Sequence, residues 1–416
     1  MYAKLVFKDS DSQVIFEKVT KYSKTKCYIN DVEKSFELLY TIAQEDQKSY
    51  LDNISNFFNN LNFNFNSCHS LQCVILPDDL INLPPQAFSF SEKLDYVMLK
   101  NNLTNIGFDA FSYCSSLKNI LLPDSLEVIG DYAFTKSAIE DINIPKNIKK
   151  IGIQAFKSTP FLQKEQQKNQ LVIKNNILID GTQCVGEINI PDNVNVIASG
   201  AFSESKVLKV IIPDGIKEIP FAMFDSCRSL EEVFIPESVK EIKNYAFNCC
   251  LKLSSIKLPD NLENIGDAAF EECQSLKNIK LPDKIKIISN DLFCLCISLE
   301  NIDLSDSVEV IKNSAFLGCT KLENINFPKK IKEIEDLAFY SCRSIKEMIF
   351  PENLNEFNAD IIEGCDSLKK IEFLSDKIRI NKDDYEKLPS LDTIKTPREI
   401  YNYNRNISKT YDDLER

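Results

Sequence analysis

Few residues in this chain could do chemistry. One histidine, His69, stands among 416 residues, against fourteen cysteines. A nucleophilic site of the Ser-His-Asp or Cys-His kind would have to pass its proton through that one histidine. It lies in "SCHSLQC" with no nucleophile motif beside it, so it reads as a partly exposed turn residue. The cysteines raise the question of a metal or of disulfides. Cys227, Cys250, Cys273, Cys296, Cys319, Cys342 and Cys365 recur every 23 residues, and Cys68 and Cys114 share their phase. Zinc needs four ligands converging tetrahedrally, usually from close pairs, and neither Cys249-Cys250 nor Cys294 with Cys296 has a partner pair elsewhere. A column with one sulfur per repeat suits buried reduced thiols better than disulfides, because stacked side chains point the same way. Four of the ten glycines, Gly107, Gly130, Gly152 and Gly266, recur in one Ile-Gly turn, and no glycine-rich phosphate loop is left. These observations predict a chain with no catalytic residue, no cofactor and no metal.

The cysteine spacing is part of a wider repeat, "CRSLEEVFIPESVKEIKNYAFNC" from Cys227 being nearly restated from Cys250. The phenylalanine of an Ala-Phe pair, or its substitute, falls at 88, 111, 134, 156, 202, 224, 247, 270, 293, 316, 339 and 362, in steps of 22 or 23 with a single step of 46. The long step hides one degenerate coil, which makes 13 coils and a partial one beyond. Within a coil, Val233-Phe234-Ile235 alternates as a strand does, with Val233 and Ile235 on one face and Phe234 on the other. Pro236 ends that strand, Val239 and Ile242 return to the core, and Ala246-Phe247 closes the turn. One coil cannot bury this apolar face alone; a stack of them can.

The pattern Leu-x-x-Ile-x-Leu-Pro-x-x-Leu-x-x-Ile-Gly-x-x-Ala-Phe-x-x-Cys, nearly intact in "CSSLKNILLPDSLEVIGDYAF" from Cys114, resembles the BspA-type leucine-rich repeat over roughly residues 66–375. The segment 157–187 resembles the family's irregular coil, a Thr-Pro-aromatic start before a hairpin-like insert. Departures are local: Lys100 and Ser305 replace the proline, Pro220 and Lys243 the glycine, and Ile361-Ile362 the Ala-Phe. The resemblance implies an α/β repeat solenoid, right-handed, with a concave parallel sheet commonly used to bind proteins. Many members of the family sit on cell surfaces.

Three segments follow: 1–65, a small α+β cap or a separate docking domain; 66–397, the repeat array; and 398–416, a polar, tyrosine-containing tail. At the N-terminal end, "AKLVFK" and "SQVIFEK" read as two short strands, and Asn30 with Glu33 as a capping box opening the first of two helices. With a net charge of −13, the chain is expected to shun nucleic acid and anionic membranes. No apolar run approaches the ~20 residues of a membrane span. The N-terminus lacks secretory-signal features, which together with the cysteines points to the cytoplasm; the alternative is a cell-surface or secreted protein.

The expected role is a non-enzymatic scaffold that binds another protein through the strand face. That face carries one outward residue per coil, and two apolar clusters interrupt it. Ile211 and Phe234, with Leu208 beside them and Lys257 and Lys280 as a polar rim, form the first. Ile75, Met98 and Leu121, with Tyr96, form the second, to be covered either by the N-terminal segment or by a partner. The alternative function is an adhesin of the same fold.

Overall fold

The computed structural model describes residues 4–8, 13–15, 65–69, 71–76, 79–379, 388, 390–397 and 400–402. The capping box at Asn30, the two expected helices and the tail beyond Asn402 lie outside them. The chain divides into two compact units, Met1–Gly181 with Val196–Ala201, and Thr182–Asn195 with Phe202–Arg416.

Both units are built by the same coil. The apolar triplet forms the expected strand, as at Glu232–Phe234, with Val233 buried between two exposed neighbours. It pairs in parallel with Lys206–Ile211 of the coil before, Val210 opposite Val233 and Ile211 opposite Phe234. The return side of the coil, read from sequence as an apolar return without a strand, forms a second ladder only two residues long. Glu241–Ile242 pairs in parallel with Glu218–Ile219 and with Asn264–Ile265. The first unit repeats this with Asn82–Leu83, Asn105–Ile106, Val128–Ile129 and Lys150–Ile151. Each unit is thus a stack of parallel-stranded solenoid coils, about 14 turns in all.

The core of each unit is a column of rings. Phe65, Phe88, Phe111, Phe134 and Phe156 stack at 5.4–5.7 Å between centroids in the first. The seven rings from Phe202 to Phe339 stack at 5.0–5.8 Å in the second. These distances match the strand spacing of a sheet, so one ring per coil fills the interior without a gap. Phe65 was not read as a repeat position; its ring lies on Phe88, and Phe65 N–H donates to Ala87 O at 2.7 Å. The array thus starts one coil before the first Ala-Phe pair.

Among the described residues helix is scarce, and the backbone shows why. Two residues before and two after each core phenylalanine, the chain is left-handed: φ is +58° at Tyr245 and +55° at Cys249, around Phe247. This conformation costs a residue other than glycine about 1–2 kcal/mol. In return, the N–H groups of Tyr245, Phe247 and Cys249 all donate along the stack, to Asp267, Ala269 and Glu271 at 2.8–3.0 Å. Three hydrogen bonds, each contributing about 1 kcal/mol, offset the strain. A helical turn would spend the same N–H groups within its own coil and leave the neighbours unjoined.

The glycine turn has a different cause. A Cβ on Gly130 would lie 2.6 Å from the carbonyl carbon of Gly107 in the preceding coil, so the two backbones meet where no side chain fits.

The irregular coil contains a helix the sequence reading missed, Pro160–Lys168, capped by the Thr159 hydroxyl, which accepts from Leu162 N–H. Thr at the N-cap and Pro at the first helical position were the available signals. The expected hairpin follows, Val172–Lys174 antiparallel to Ile177–Asp180, turning on Asn175 and Asn176 at φ +47° and +65°. At the start of the chain, Lys4–Lys8 and Gln13–Ile15 pair antiparallel, and the former adds to the edge of Leu71–Ile75. The expected strands are there, docked edge-on by backbone hydrogen bonds.

Candidate functional site

The cysteine column sits inside the coil, three residues after each core phenylalanine. It is more than apolar filling. The thiol of Cys114 donates to Phe88 O at 3.2 Å, and those of Cys250, Cys273, Cys296, Cys319, Cys342 and Cys365 do the same to the phenylalanine 26 residues earlier, at 3.1–3.2 Å. Each S–H thus satisfies a carbonyl of the preceding coil from a side chain small enough to fit. At the same phase, the Ser91 hydroxyl donates to Phe65 O at 3.0 Å, whereas Ser137 Oγ finds no partner.

Burial pushes the thiols of Cys114 and Cys227 up to about 12, and it carries Cys250, Cys273, Cys319 and Cys342 well above the ordinary thiol value. A thiol held protonated and away from water is a poor nucleophile and a poor ligand. Iodoacetamide at pH 8 should therefore leave these cysteines unmodified in the folded protein and alkylate them only in denaturant. Half-buried Cys249 should react slowly, because burial and the carboxylates of Glu272, Asp225 and Glu271 raise its thiol too. Peptide mass mapping checks this, and fast native labelling of Cys273 would overturn the burial argument.

His69 is exposed. Among the described residues no group of three or more His, Cys, Asp or Glu side chains could hold a metal ion. The side chains that remain to be explained lie on the strand face.

In the second unit, the outward position reads Asn189, Ile211, Phe234, Lys257, Lys280 and Asp303 along successive coils. Phe234 is 45% exposed, Leu208 and Ile211 39% each, an unusual exposure for three large apolar side chains on neighbouring strands. Leu208 lies out of register: Gly186 pairs with Val207 and Glu187 with Lys209, so Leu208 is an extra residue that bulges from its strand. The sequence reading missed Lys209. Its Nζ sits 4.7 Å from the centroid of the Phe234 ring and 2.8 Å from Glu232 Oε2. Hydrogen bonding to Glu232 raises its proton affinity, so the cation persists over the ring. The two-residue offset between outward neighbours on one strand, together with strand pairing, was the signal that could have found it. Lys257 and Lys280 reach carboxylates only at 3.9 Å, Glu237 and Asp303 respectively.

In the first unit, Met98 pairs with Leu121 across a bridge and with Ile75 in the adjoining strand. Tyr96, Met98 and Leu121 are 46%, 36% and 74% exposed; Ile75 is described by its backbone alone. The two clusters belong to different units.

Stacked parallel coils with a ladder of interior leucines and phenylalanines define the leucine-rich-repeat solenoid class, whose families are in general non-enzymatic scaffolds. Six copies of the BspA type leucine rich repeat region match residues 54–166, 172–299 and 286–411, and the chain belongs to that family. No curated protein matches the chain. Among solved structures, it is similar to a leucine-rich repeat protein from Bacteroides ovatus, at 22% identity over 79% of this chain and 76% of that one, TM-score 0.39. It is also similar to the T. pallidum leucine rich repeat protein, at 26% identity over 41% and 82%, TM-score 0.39. A third is a leucine rich cell surface protein from Faecalibacterium prausnitzii, at 20% identity over 78% of each chain, TM-score 0.34. Leucine-rich repeats commonly mediate protein–protein interaction. No helix among the described residues is long and apolar enough to cross a membrane.

Proposed function

We propose that this chain is a non-enzymatic binding protein that holds a protein partner on the strand face of its second unit, centred on Phe234. The observation that carries the reading is Phe234 itself, a large aromatic 45% exposed beside Ile211 and Leu208, whereas the core ring of the same coil, Phe247, is fully buried. Aromatic anchors of this kind concentrate binding energy where a partner can exclude water. Lys209 over the ring, and Lys257 and Lys280 further along, supply the polar rim. Tyr96, Met98 and Leu121, with Ile75, are a second contact region on the first unit.

Membership of a family many of whose members sit on cell surfaces moves the cell-surface reading ahead of the cytoplasmic one. The sequon Asn102-Leu103-Thr104, of which Asn102 is exposed, becomes relevant only there.

The test is capture of partners from native extract on the purified protein and on Phe234→Asp, matched for circular dichroism and melting. A partner held by the first and lost by the second is the expected result. Equal capture by both would sink the Phe234 surface, and Leu121→Asp would then test the other one.

A further inference from the structure

The residues beyond Phe234 narrow the chemistry of the partner, on the reading that this face binds protein. Two other lysines on the strand face are neutralised at short range: Lys209 lies 2.8 Å from Glu232 and Lys395 2.6 Å from Glu372. Lys257 and Lys280 are different. Their side chains are 87% and 79% exposed, and their nearest carboxylates stand at 3.9 Å, the outer limit of an ion pair. Surface pairs of that length contribute little, so a better-placed carboxylate can displace them. A chain of net charge −13 thus presents two under-neutralised cations on consecutive coils, immediately after its exposed aromatic. From the apolar end to the basic end the row runs Ile211, Phe234, Lys257, Lys280.

We propose that the segment bound here is an extended acidic stretch, with one large apolar residue seated against Phe234 and Ile211 and carboxylates within the next two to four positions. The spacing sets that offset. Coils step by about 4.8 Å, the separation of paired strands, which puts Lys257 about 5 Å and Lys280 about 10 Å beyond the anchor. An extended chain advances about 3.3 Å per residue, and the second residue after the anchor returns to the same face. A carboxylate there, at about 7 Å, falls between the two ammonium groups, and one at the fourth position, at about 13 Å on the same face, lies just past Lys280. Lysine side chains are long enough to absorb the remaining difference. For a segment running in the direction of the coils, acidic residues placed before the anchor would meet Asn189 and Glu187 instead.

The experiment is selection of a displayed library of random short peptides on the purified full chain. Recovered clones are then rebound to Phe234→Asp and to the double variant Lys257→Glu/Lys280→Glu, at low and high salt. All three positions are exposed, and unchanged melting confirms that the variants fold. The expected clones carry an apolar residue followed by Asp or Glu, are lost on Phe234→Asp, and bind the double variant roughly tenfold or more weakly, with a salt dependence that the double variant lacks. Exchanging the peptide's acids for lysine should restore binding to the double variant. Clones that need Phe234 but carry no acids, or bind the double variant as well as the original, overturn the acidic segment and leave the protein-binding reading standing. No clones, or clones indifferent to Phe234, overturn both.

Discussion

Truncating Phe247 to alanine is expected to lower the stability of its unit by about 3–5 kcal/mol, the cost of emptying a large aromatic site in a core. The ring is fully buried, with Phe224 at 5.3 Å on one side and Phe270 at 5.2 Å on the other. Neighbouring coils are held in place by their own ladders and cannot close on the space. Phe234→Ala, thirteen residues away in the same coil, should cost less, about 1–2 kcal/mol, since it removes one cation–π contact and a ring that is already 45% exposed. Urea titrations of the two variants followed by circular dichroism compare them directly. Equal losses would mean that the assignment of one phenylalanine to the core and the other to the face is wrong.

The second large effect is expected at Ser226, where φ is +57° and the N–H donates to Asn248 O at 2.8 Å. Ser226→Pro fixes φ near −65° and deletes the donor, so it should cost about 3 kcal/mol or more. Ser226→Gly removes left-handed strain of about 1–2 kcal/mol but adds unfolded-state entropy of about 0.5–1 kcal/mol. It should therefore be neutral or stabilising by up to about 1 kcal/mol. Opposite signs at one position would establish that the turn is held against local preference; a destabilising glycine would refute it.

The period, the strand triplet, the closing Ala-Phe and the thiol column were legible in sequence because each is set by packing that recurs in every coil. The left-handed positions were not. Tyr245, Glu204, Leu337 and Gln154 all adopt them, and no residue type marks the site, because the hydrogen bonds of the neighbouring coil impose the conformation. The sulfur ladder was half legible: burial followed from phase, whereas donation to a carbonyl 26 residues back required coordinates. The second strand ladder was missed because two residues give no alternation to detect. At the candidate surface, exposure of Leu208 comes from the bulge, whereas that of Phe234 and Ile211 followed from strand alternation. Lys209 over the ring did not, because its side chain had to be followed across to the next coil.

The hydrogen bonds that join Phe247 to Ala269 and Tyr245 to Asp267 link residues 22 apart in the chain, and other coil contacts repeat that separation. Every regular coil therefore closes a loop of nearly equal length, with nearly equal entropy loss, and only the irregular coil departs, Ser199 N–H reaching Ile151 O across 48 residues. Folding can begin at any pair of adjacent coils and spread outward, one loop at a time, with no distant segment to await. The same arithmetic constrains how such a chain lengthens. Coils of 22 and of 23 residues both keep the ring column, Phe134 to Phe156 at 5.5 Å and Phe111 to Phe134 at 5.4 Å, so a coil absorbs one residue between its fixed positions, and a gain of one whole coil leaves every column intact.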